Sequence, residues 1–533
     1  MSRHQFAAEA LAQIPKILTL QDRNPHSPTY GCFDRNFWQY KIIDFPSGMS
    51  QEFVLPLALA YGLSIPENTY YQQLALRRWV VAGMQYAARS AHPDGSCDDY
   101  FPFERAGGAA AFSLLACLDS YRLLELEDPA LLQFFSRRAD WLAHHQESGR
   151  LTNHQALIAL CLVLTGHLLH SDRWRSASED RLAQVLSWQN PEGWFQEYEG
   201  FDPGYQTLTI ACLARLYELQ PSSALKDAIA KAVLLTAHFI HPDGSYGGEY
   251  TSRNTYNFFP HGFELVGRWL PEALSINDKF LEGLSQGRGA CYADDHIVGH
   301  HTWSYLLAWR DFVEARSGAP LPKARLWLPE ARILVERRGA TALYVALNKG
   351  GAFKLFRGDR LVVSDTQISL QVRHQGGVKN AVGHLVGHYP IQVEDGKVTI
   401  SGTLGWAKQT QMTPLKLMVL RIVTLTAGRF FPNLVRRLLQ KVLITGKAAA
   451  PFRFVRQFQW HGGDWQIVDT ITPSETAGGW DDVVTAGIAA DQTSIYVVMS
   501  RTYQSGQLQP WLDLTAQVRS LKPGEPLVLT RSL

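Results

Sequence analysis

A five-residue turn recurs along the N-terminal part of the chain, and its spacing limits the folds that the chain can form. The turn reads HPDGS at 92–96, NPEGW at 190–194 and HPDGS again at 241–245. The last two copies are about fifty residues apart, the first two are about a hundred apart, and ESGRLTNH at 147–154 lies midway between those two. A period of about fifty residues is typical of two helices and two loops, a unit that must stack on its neighbours to bury its apolar faces.

The segments between the turns have helical periodicity. Clear examples are 112–126, 157–169, 207–219 and 228–240. Proline at the second turn position and glycine at the fourth favour the same tight turn each time. Loops of one type fall at one end of such a stack. We therefore predict that residues 1–318 form an incomplete α/α toroid whose groove is lined by these loops.

The pattern changes after a proline-punctuated segment, SGAPLPKARLWLPEAR at 317–332, within which we predict a linker over 319–332. Period-two alternation then indicates strands. The strand-like segments are 342–365, 396–406, 465–473, 494–500 and 526–533. We predict an antiparallel β-sandwich over 333–533, which makes the chain an α+β multidomain protein.

One helical insertion, at 413–447, interrupts the predicted sandwich and reads as two helices or as one broken at Gly428 and Pro432. The surrounding segment 396–463 contains eleven Lys and Arg residues and no Asp or Glu. A basic amphipathic segment of this kind is typical of a surface that binds an anionic membrane. Contact with another polyanion and a plain helical lid with a solvated basic face are the alternatives. No nucleic acid partner is predicted.

Bulk properties narrow the class of protein further. The formal net charge is only +2, and the six cysteines include no C-x-x-C pair, so we predict buried free thiols rather than disulfides or a zinc site. The N-terminal segment MSRHQFAAEALAQIPKIL has no continuous apolar stretch of the signal-peptide kind. We expect no transmembrane helix and a cytoplasmic location, with peripheral attachment at the inner membrane face as a further option.

Three groups of polar side chains are candidates for a functional site. Asn153 and His154 stand at a predicted helix start, and Tyr205 stands at an equivalent start fifty-two residues later. Equivalent positions in consecutive hairpins are neighbours in a toroid, so we expect these side chains to face one cavity. Substrate-binding roles are predicted for residues in the loops after the turns: Arg253, Asn254, Tyr256, His261, Tyr100 and Arg105.

An amide, an imidazole, a phenol and a guanidinium together suit β-elimination from a uronic acid. Hydrogen bonds that neutralise the sugar carboxylate stabilise the enolate-like transition state. A base then removes the C5 proton, and an acid protonates the departing O4. Tyrosine can serve in either role when nearby positive charge lowers its pKa. This chemistry requires no metal and no cofactor, and none is predicted.

With these residues, the chain resembles the heparinase II/III-type polysaccharide lyases and the related alginate lyases. The likeness rests on Asn153-His154, on Tyr205 at the family's spacing, and on YVALNKGGAFKLFRGDRLVVSD at 344–365, which is similar to the first strands of the family's sandwich. The resemblance implies an α/α toroid followed by a β-sandwich and catalytic roles for Asn153, His154 and Tyr205. It also implies an acidic polysaccharide or oligosaccharide substrate, which we connect with exopolysaccharide metabolism.

The family also presents an H-x-H-x-D motif from the sandwich, and this chain departs from that pattern. The corresponding segment, 369–389, contains His374, His384 and His388 but not the motif. His374 is the best substitute and completes the predicted catalytic set, with His384 next.

Several other functions fit parts of the sequence. The missing motif favours a glycan-binding protein of the same fold without catalysis. A glycoside hydrolase would need two opposed carboxylates, for which Asp98 or Asp99 with Glu197 or Glu249 are candidates. The CDDY segment at 97–100 is also typical of terpene cyclases, but the polar loops and the sandwich argue against that class.

A metal site was a further alternative, at ADDHIVGHH (293–301). His296 and His300 have the spacing of a zinc-binding pair, but the glutamate of H-E-x-x-H is missing.

Overall fold

The structure of the chain, a computed structural model, describes most of the sequence. The described residues are 3–147, 149–291, 297–316, 318–374, 376–407, 411–432, 434–435, 448–474, 480–490, 493, 503–504 and 507–533. Three predicted features lie outside them: the strand at 494–500, most of the second half of the insertion (436–447), and Asp294, Asp295 and His296 of the metal alternative.

The N-terminal domain is a double-layered ring of helices. The helices are α1 His4–Leu20, α2 Arg35–Trp38, α3 Val54–Gly62, α4 Leu74–Ser90, α5 Gly107–Leu123, α6 Pro129–His144, α7 Thr152–Leu169, α8 Arg175–Ser187, α9 Pro203–Leu219, α10 Ser223–Thr236, α11 His261–Gly267, α12 Pro271–Ser285 and α13 Ile297–Arg310, with a 3₁₀ helix at Met49–Phe53. The inner layer is α3, α5, α7, α9, α11 and α13, and the outer layer is α4, α6, α8, α10, α12 and α1. Since α13 contacts α3, the first and last inner helices of the toroid are neighbours.

The recurring turn has the same structure in all three copies, which explains the regular period. Its glycines, Gly95, Gly193 and Gly244, have φ angles of 89°, 99° and 78°. A Cβ on Gly95 would lie 2.6 Å from the backbone nitrogen of Arg138 in α6, and a Cβ on Gly244 would lie 2.4 Å from the carbonyl oxygen of Lys279 in α12. Each of these turns therefore packs directly on the next outer helix, and only glycine fits there.

Helix α7 is long and apolar enough to cross a membrane by length and composition. It is an inner helix of the toroid, and Leu157, Ile158 and Cys161 are fully buried in the common core. Cys32, Cys97, Cys117, Cys161 and Cys212 are buried free thiols, as predicted.

The C-terminal domain consists of two packed antiparallel sheets. Its strands are β2 Leu326–Leu328, β3 Ile333–Arg338, β4 Thr341–Ala346, β5 Ala352–Arg357, β6 Arg360–Asp365, β7 Ile368–His374, β8 Gly377–Val382, β9 Ile391–Glu394, β10 Lys397–Ala407, β11 Ala449–His461, β12 Asp464–Pro473, β13 Val483–Ile488, β15 Leu512–Asp513 and β16 Leu527–Ser532. Strands β2 to β6 form one sheet in sequence order, and the other runs β15-β13-β7-β8-β10-β11-β12-β16, with β9 on β10. A short pair, β1 Ala290–Cys291 with β14 Tyr503–Gln504, joins the C-terminal part to the toroid.

The five-stranded sheet is buried on both faces. Leu343 and Phe353 pack into the core between the two sheets, whereas Tyr344 and Phe356 pack into the core of the toroid. The ring of Tyr344 lies 4.8 Å from the ring of His241, which follows α10. All six residues of β4 are buried, so the inside–outside alternation expected over 342–365 is not seen in this strand.

The domain junction and the insertion have well-defined elements. Strand β2 lies inside the segment predicted as a linker and pairs with β3, so the sandwich begins before residue 333.

The insertion begins with helix α14, Pro414–Val423, capped by Thr413, and continues through a π-helical turn at Thr424–Gly428. A last short helix, α15 Thr515–Val518, packs on β13.

Candidate functional site

The N-terminal ends of α7 and α9, together with the loops at 195–202 and 251–256, bring four candidate side chains together. Asn153 Nδ2 donates a 2.8 Å hydrogen bond to Glu197 Oε2. Arg253 Nη1 lies 3.8 Å from Glu197 Oε1, and the Arg253 guanidinium carbon lies 5.3 Å from the centre of the Tyr205 ring. We call Asn153, Glu197, Arg253 and Tyr205 the Glu197 cluster.

Asp202 holds this cluster in place. As the N-cap of α9 it accepts a 3.0 Å hydrogen bond from the backbone N–H of Tyr205. Its other carboxylate oxygen accepts a 3.0 Å hydrogen bond from the backbone N–H of Arg253. One buried carboxylate thus fixes both the start of the helix and the loop that carries the arginine.

Burial dominates the electrostatics of the cluster. Desolvation raises the pKa of Glu197 to about 7, although Arg253, His154 and the hydrogen bond from Asn153 act in the opposite direction. Burial also lowers the pKa of Arg253, but interactions with Tyr205, Tyr198 and Glu197 outweigh it, so that the pKa is raised. Arg253 is therefore a permanent cation, and Glu197 is divided between its neutral and charged forms near neutral pH.

His154 lies beside the cluster on α7. Its Nδ1 is 2.9 Å from Glu147 Oε2, and its side chain is about one-fifth exposed. A Cβ on Gly108 of α5 would lie 2.6 Å from His154 Cε1, so the missing side chain makes room for the imidazole. Because a carboxylate holds Nδ1–H, the neutral ring presents Nε2 as an acceptor.

A second imidazole lies deeper in the ring of helices. His300 Nδ1 is 2.6 Å from Glu52 Oε2, and its ring stacks on Phe112 at 3.8 Å. Burial, and to a lesser degree the charge of His154, lowers the pKa of His300 to about 3. Among the described residues, no group of three or more His, Cys, Asp or Glu side chains is arranged to hold a metal ion.

Asn254 and Tyr256 lie at the junction of the domains. The Nζ atom of Lys349 in the sandwich donates to Asn254 Oδ1, and Lys354 Nζ donates a 3.2 Å hydrogen bond to the Tyr256 hydroxyl. Both lysines are buried, and burial lowers the pKa of Lys349 to about 8. The two predicted substrate-binding residues thus tie the toroid to the five-stranded sheet.

His261 is not brought to the cluster. Its Nε2 lies 2.8 Å from Asp311 Oδ2, just beyond the C-terminal end of α13, whereas Tyr205 stands at an N-terminal helix end. Burial lowers the pKa of His261 to about 4 despite the carboxylate beside it. His261 was predicted in the loop after the third turn, but it is the first residue of α11 and its imidazole is directed to Asp311.

The sandwich histidines differ in position. His374 ends β7 and packs on Trp406, with 5.0 Å between ring centres, on the nine-stranded sheet. His384 is buried in the loop between β8 and β9. In the same loop, the Gly387 N–H donates a 2.8 Å hydrogen bond to the backbone carbonyl of Asn348. A Cβ on Gly200 would lie 3.6 Å from the side-chain nitrogen, Nδ2, of Asn348. The His384 loop, rather than the His374 hairpin, therefore lies beside the segment that carries Glu197.

The remaining predicted substrate residues lie in the loop before α5. Tyr100 is 70% exposed, and Arg105 Nη1 forms a 2.8 Å ion pair with Asp94. Arg105 lines a separate pocket of about 660 Å³ together with Trp141 and Pro432 of the insertion.

The carboxylates considered for hydrolysis already have protein partners. Asp98 accepts hydrogen bonds from the backbone N–H groups of Phe103 and Arg105, at 2.8 and 3.0 Å. Asp99 accepts a 2.6 Å hydrogen bond from Ser47. Glu249 accepts a 2.8 Å hydrogen bond from Ser364 and lies 3.7 Å from Lys354 Nζ. These contacts order loops and the domain junction.

Comparison with known proteins supports the fold. No protein-family model and no curated protein sequence matches the chain. The structure of the Streptomyces coelicolor A3 chondroitin AC lyase in complex with chondroitin sulphate matches with a TM-score of 0.53 at 11% identity, covering 99% of this chain and 79% of that chain. A mutant of the same lyase matches with a TM-score of 0.50 and the same identity and coverage. The chain therefore shares the overall fold of this chondroitin AC lyase. The predicted α/α toroid followed by an antiparallel β-sandwich is confirmed.

We expect Asn153→Ala to lower the stability of the folded chain. The substitution leaves the buried Glu197 carboxyl without its amide donor, a loss that costs about 1–3 kcal/mol. Asn277 offers a matched control, because its Nδ2 donates a 2.9 Å hydrogen bond to another buried glutamate, Glu264. Asn277→Ala should show a similar loss of stability in urea unfolding. A loss of much less than about 1 kcal/mol in Asn153→Ala would contradict a stabilising contact between Asn153 and Glu197.

The raised pKa of Glu197 predicts a pH dependence of stability. The folded chain binds this proton more tightly than the unfolded chain, whose glutamate pKa is 4.5. The contribution is fully present below about pH 4.5 and is lost as the pH rises through about 7, with a size on the order of 3 kcal/mol. Urea unfolding between about pH 4.5 and pH 8 should therefore show a shallower decline in Glu197→Gln than in the wild type. Parallel curves would contradict the assignment.

Proposed function

We propose that the chain is a lyase that cleaves an acidic polysaccharide or oligosaccharide by β-elimination at the Glu197 cluster. The observation that carries the proposal is the chain of contacts from Asn153 through Glu197 and Arg253 to Tyr205. It joins two adjacent helix starts and the loop after the third turn, and it reaches the surface at the partly exposed Tyr205.

Masking of the substrate carboxylate is the first requirement. Arg253 supplies a fixed positive charge, and Asn153 supplies a neutral donor in the same cluster. The neutral form of Glu197 adds an O–H donor, whereas its charged form would repel a uronate. Such donors stabilise the negative charge that develops as the C5–H bond weakens.

Proton transfer is the second requirement. In the proposed reaction a base removes the C5 proton, the C4–O4 bond breaks, a C4–C5 double bond forms and O4 receives a proton. Tyr205 is assigned to this transfer because Arg253 stabilises negative charge on its oxygen. His154 is the second assigned proton carrier, since its Nε2 can accept while Glu147 holds Nδ1–H. No water is consumed.

The sandwich contribution is reassigned within the proposal. We had predicted His374, but the loop that carries His384 packs against Asn348 beside Gly200. His384 is therefore the better candidate for the histidine that the sandwich supplies. A uronic-acid glycan of exopolysaccharide metabolism, handled in the cytoplasm or at the inner membrane face, remains the proposed substrate.

The reaction is tested by incubating the wild-type chain with alginate, polygalacturonate, hyaluronan and chondroitin sulphate. Elimination yields ultraviolet-absorbing unsaturated ends together with an equal number of new reducing ends. New reducing ends without ultraviolet absorbance would replace the proposal with hydrolysis. Saturable binding with neither product would replace it with the glycan-binding alternative.

A further inference from the structure

The insertion carries an unusual concentration of exposed apolar side chains. In the described part of the chain, twenty-two large apolar side chains are exposed, and eleven of them lie between residues 412 and 434. They are Met412, Leu415, Leu417, Met418, Val419, Ile422, Val423, Leu425, Phe430, Phe431 and Leu434. We call these eleven residues the insertion patch. None of the ten residues of α14 is buried.

The patch has helical order. Leu415, Met418, Ile422 and Leu425 follow one another at spacings of three, four and three residues, which places them on one face of α14 and its π-helical continuation. Such a face is normally buried against another element. A contiguous apolar surface of this kind on a folded protein marks a site of interaction.

The insertion is held on the toroid by its own basic side chains. Arg421 forms a 2.9 Å ion pair with Asp44, and its guanidinium carbon lies 5.4 Å from the centre of the Phe45 ring. The Arg429 guanidinium carbon lies 5.7 Å from the centre of the Phe103 ring, in the loop before α5. Ile42, two residues before Asp44, is itself 71% exposed and adds apolar surface near this contact.

Charge then selects the class of partner. The sequence of the insertion itself, 413–447, has seven basic residues and no acidic residue. A second copy of the chain would bring like charges together at this surface, which is unfavourable. A free polyanionic glycan would satisfy the charge but would leave the apolar face in water. An anionic bilayer satisfies both, since apolar side chains enter the boundary of the acyl chains while Lys and Arg meet the headgroups.

We propose that the insertion patch docks the chain on an anionic lipid bilayer. The proposal concerns attachment alone and does not depend on the reaction at the Glu197 cluster. Membrane attachment of this kind combines a hydrophobic and an electrostatic part, so binding should require anionic lipid and should weaken as salt screens the charges.

Vesicle flotation of the full chain tests the proposal, with phosphatidylcholine vesicles alone and mixed with phosphatidylglycerol. We expect the wild type to float with the mixed vesicles and to be released by high salt. The triple variant Leu415→Ser, Ile422→Ser, Phe430→Ser should bind at least about tenfold more weakly. The matched control is Leu74→Ser, Leu508→Ser, Val528→Ser, which replaces three exposed apolar side chains elsewhere. Because all six side chains are exposed, thermal unfolding should be unchanged in both variants.

Other outcomes would overturn the proposal. These are no flotation of the wild type with the anionic vesicles, or equal flotation of the wild type and the insertion variant. If the wild type does not float but self-associates without lipid, and the insertion variant is monomeric, the patch is an interface between copies. If only binding to a uronic-acid polymer is lost in that variant, the patch is a glycan-binding surface.

Discussion

Replacement of Tyr205 by phenylalanine is expected to lower kcat/KM for elimination by about 100- to 10,000-fold, the range that a positioned acid–base group contributes. The variant keeps the ring beside Arg253 and removes only the hydroxyl to which we assign the proton transfer. Folding should change little, because the side chain is partly exposed and its ring packing is retained. The initial rate of formation of the ultraviolet-absorbing product measures the effect.

Tyr217 offers a matched control for this substitution. It lies on the same helix, α9, near the opposite end, and its ring packs on Trp269 with 5.6 Å between ring centres. Tyr217→Phe should retain wild-type kcat/KM. If Tyr205→Phe loses less than about tenfold, or if both variants lose activity equally, Tyr205 is not the proton carrier.

The largest loss of stability is expected from Arg456→Met. Arg456 of β11 is fully buried and donates to Asp469 of β12 at 2.6 Å and to Asp365 at the end of β6 at 2.8 Å. Burial alone would raise the pKa of Asp365, but Arg456 and Arg531 outweigh it and hold the pKa below its usual value. Removal of Arg456 leaves two buried carboxylates with only Arg531 between them, at a cost of about 3–5 kcal/mol.

Arg357 is the surface counterpart of this arginine. It forms a 2.8 Å ion pair with Asp464, but its side chain is 46% exposed. Arg357→Met should therefore cost no more than about 1 kcal/mol. Urea unfolding of both variants compares the two costs. Similar midpoints would show that the buried Arg456 network contributes no more than a surface pair.

The architecture could be predicted from the sequence because its signals are local. The turn at 92–96, 190–194 and 241–245 depends on its own proline and glycine, and the same conformation follows at each copy. The two-sided burial of β4 and β5 was not predicted, because 342–365 was read as an alternating strand segment with one buried face. The face of the five-stranded sheet that packs on the toroid, and the face that packs on the other sheet, are determined by long-range packing between the two domains.

The site was predicted less completely. Asn153 and Tyr205 were expected to face one cavity because they stand at equivalent helix starts, and Arg253 was expected in the loop after the third turn. The structure brings the three side chains together around Glu197. Glu197 was considered only as a hydrolase carboxylate, and its position between Asn153 and Arg253 was missed. The available signal was its place in FQEYEGFDPGY, directly after a copy of the turn. Burial then raised its pKa, and no sequence pattern reports that environment.

Asn254, Tyr256 and His374 show a different limit. The lysines that bind Asn254 and Tyr256 lie almost a hundred residues later in the chain. The choice between His374 and His384 depended on which end of β7 and β8 faces the toroid. Neither these long-range lysine contacts nor the orientation of β7 and β8 produces a period or a motif in the sequence.

The five-stranded sheet has a consequence for how a long substrate would enter. Since Tyr344 and Phe356 belong to the toroid core while Leu343 and Phe353 belong to the sandwich core, this sheet is a wall common to both halves. A hinge between the toroid and this sheet would expose the buried Tyr344 and Phe356 to water. A polymer would therefore thread past a rigid frame, and any gating motion would be confined to loops.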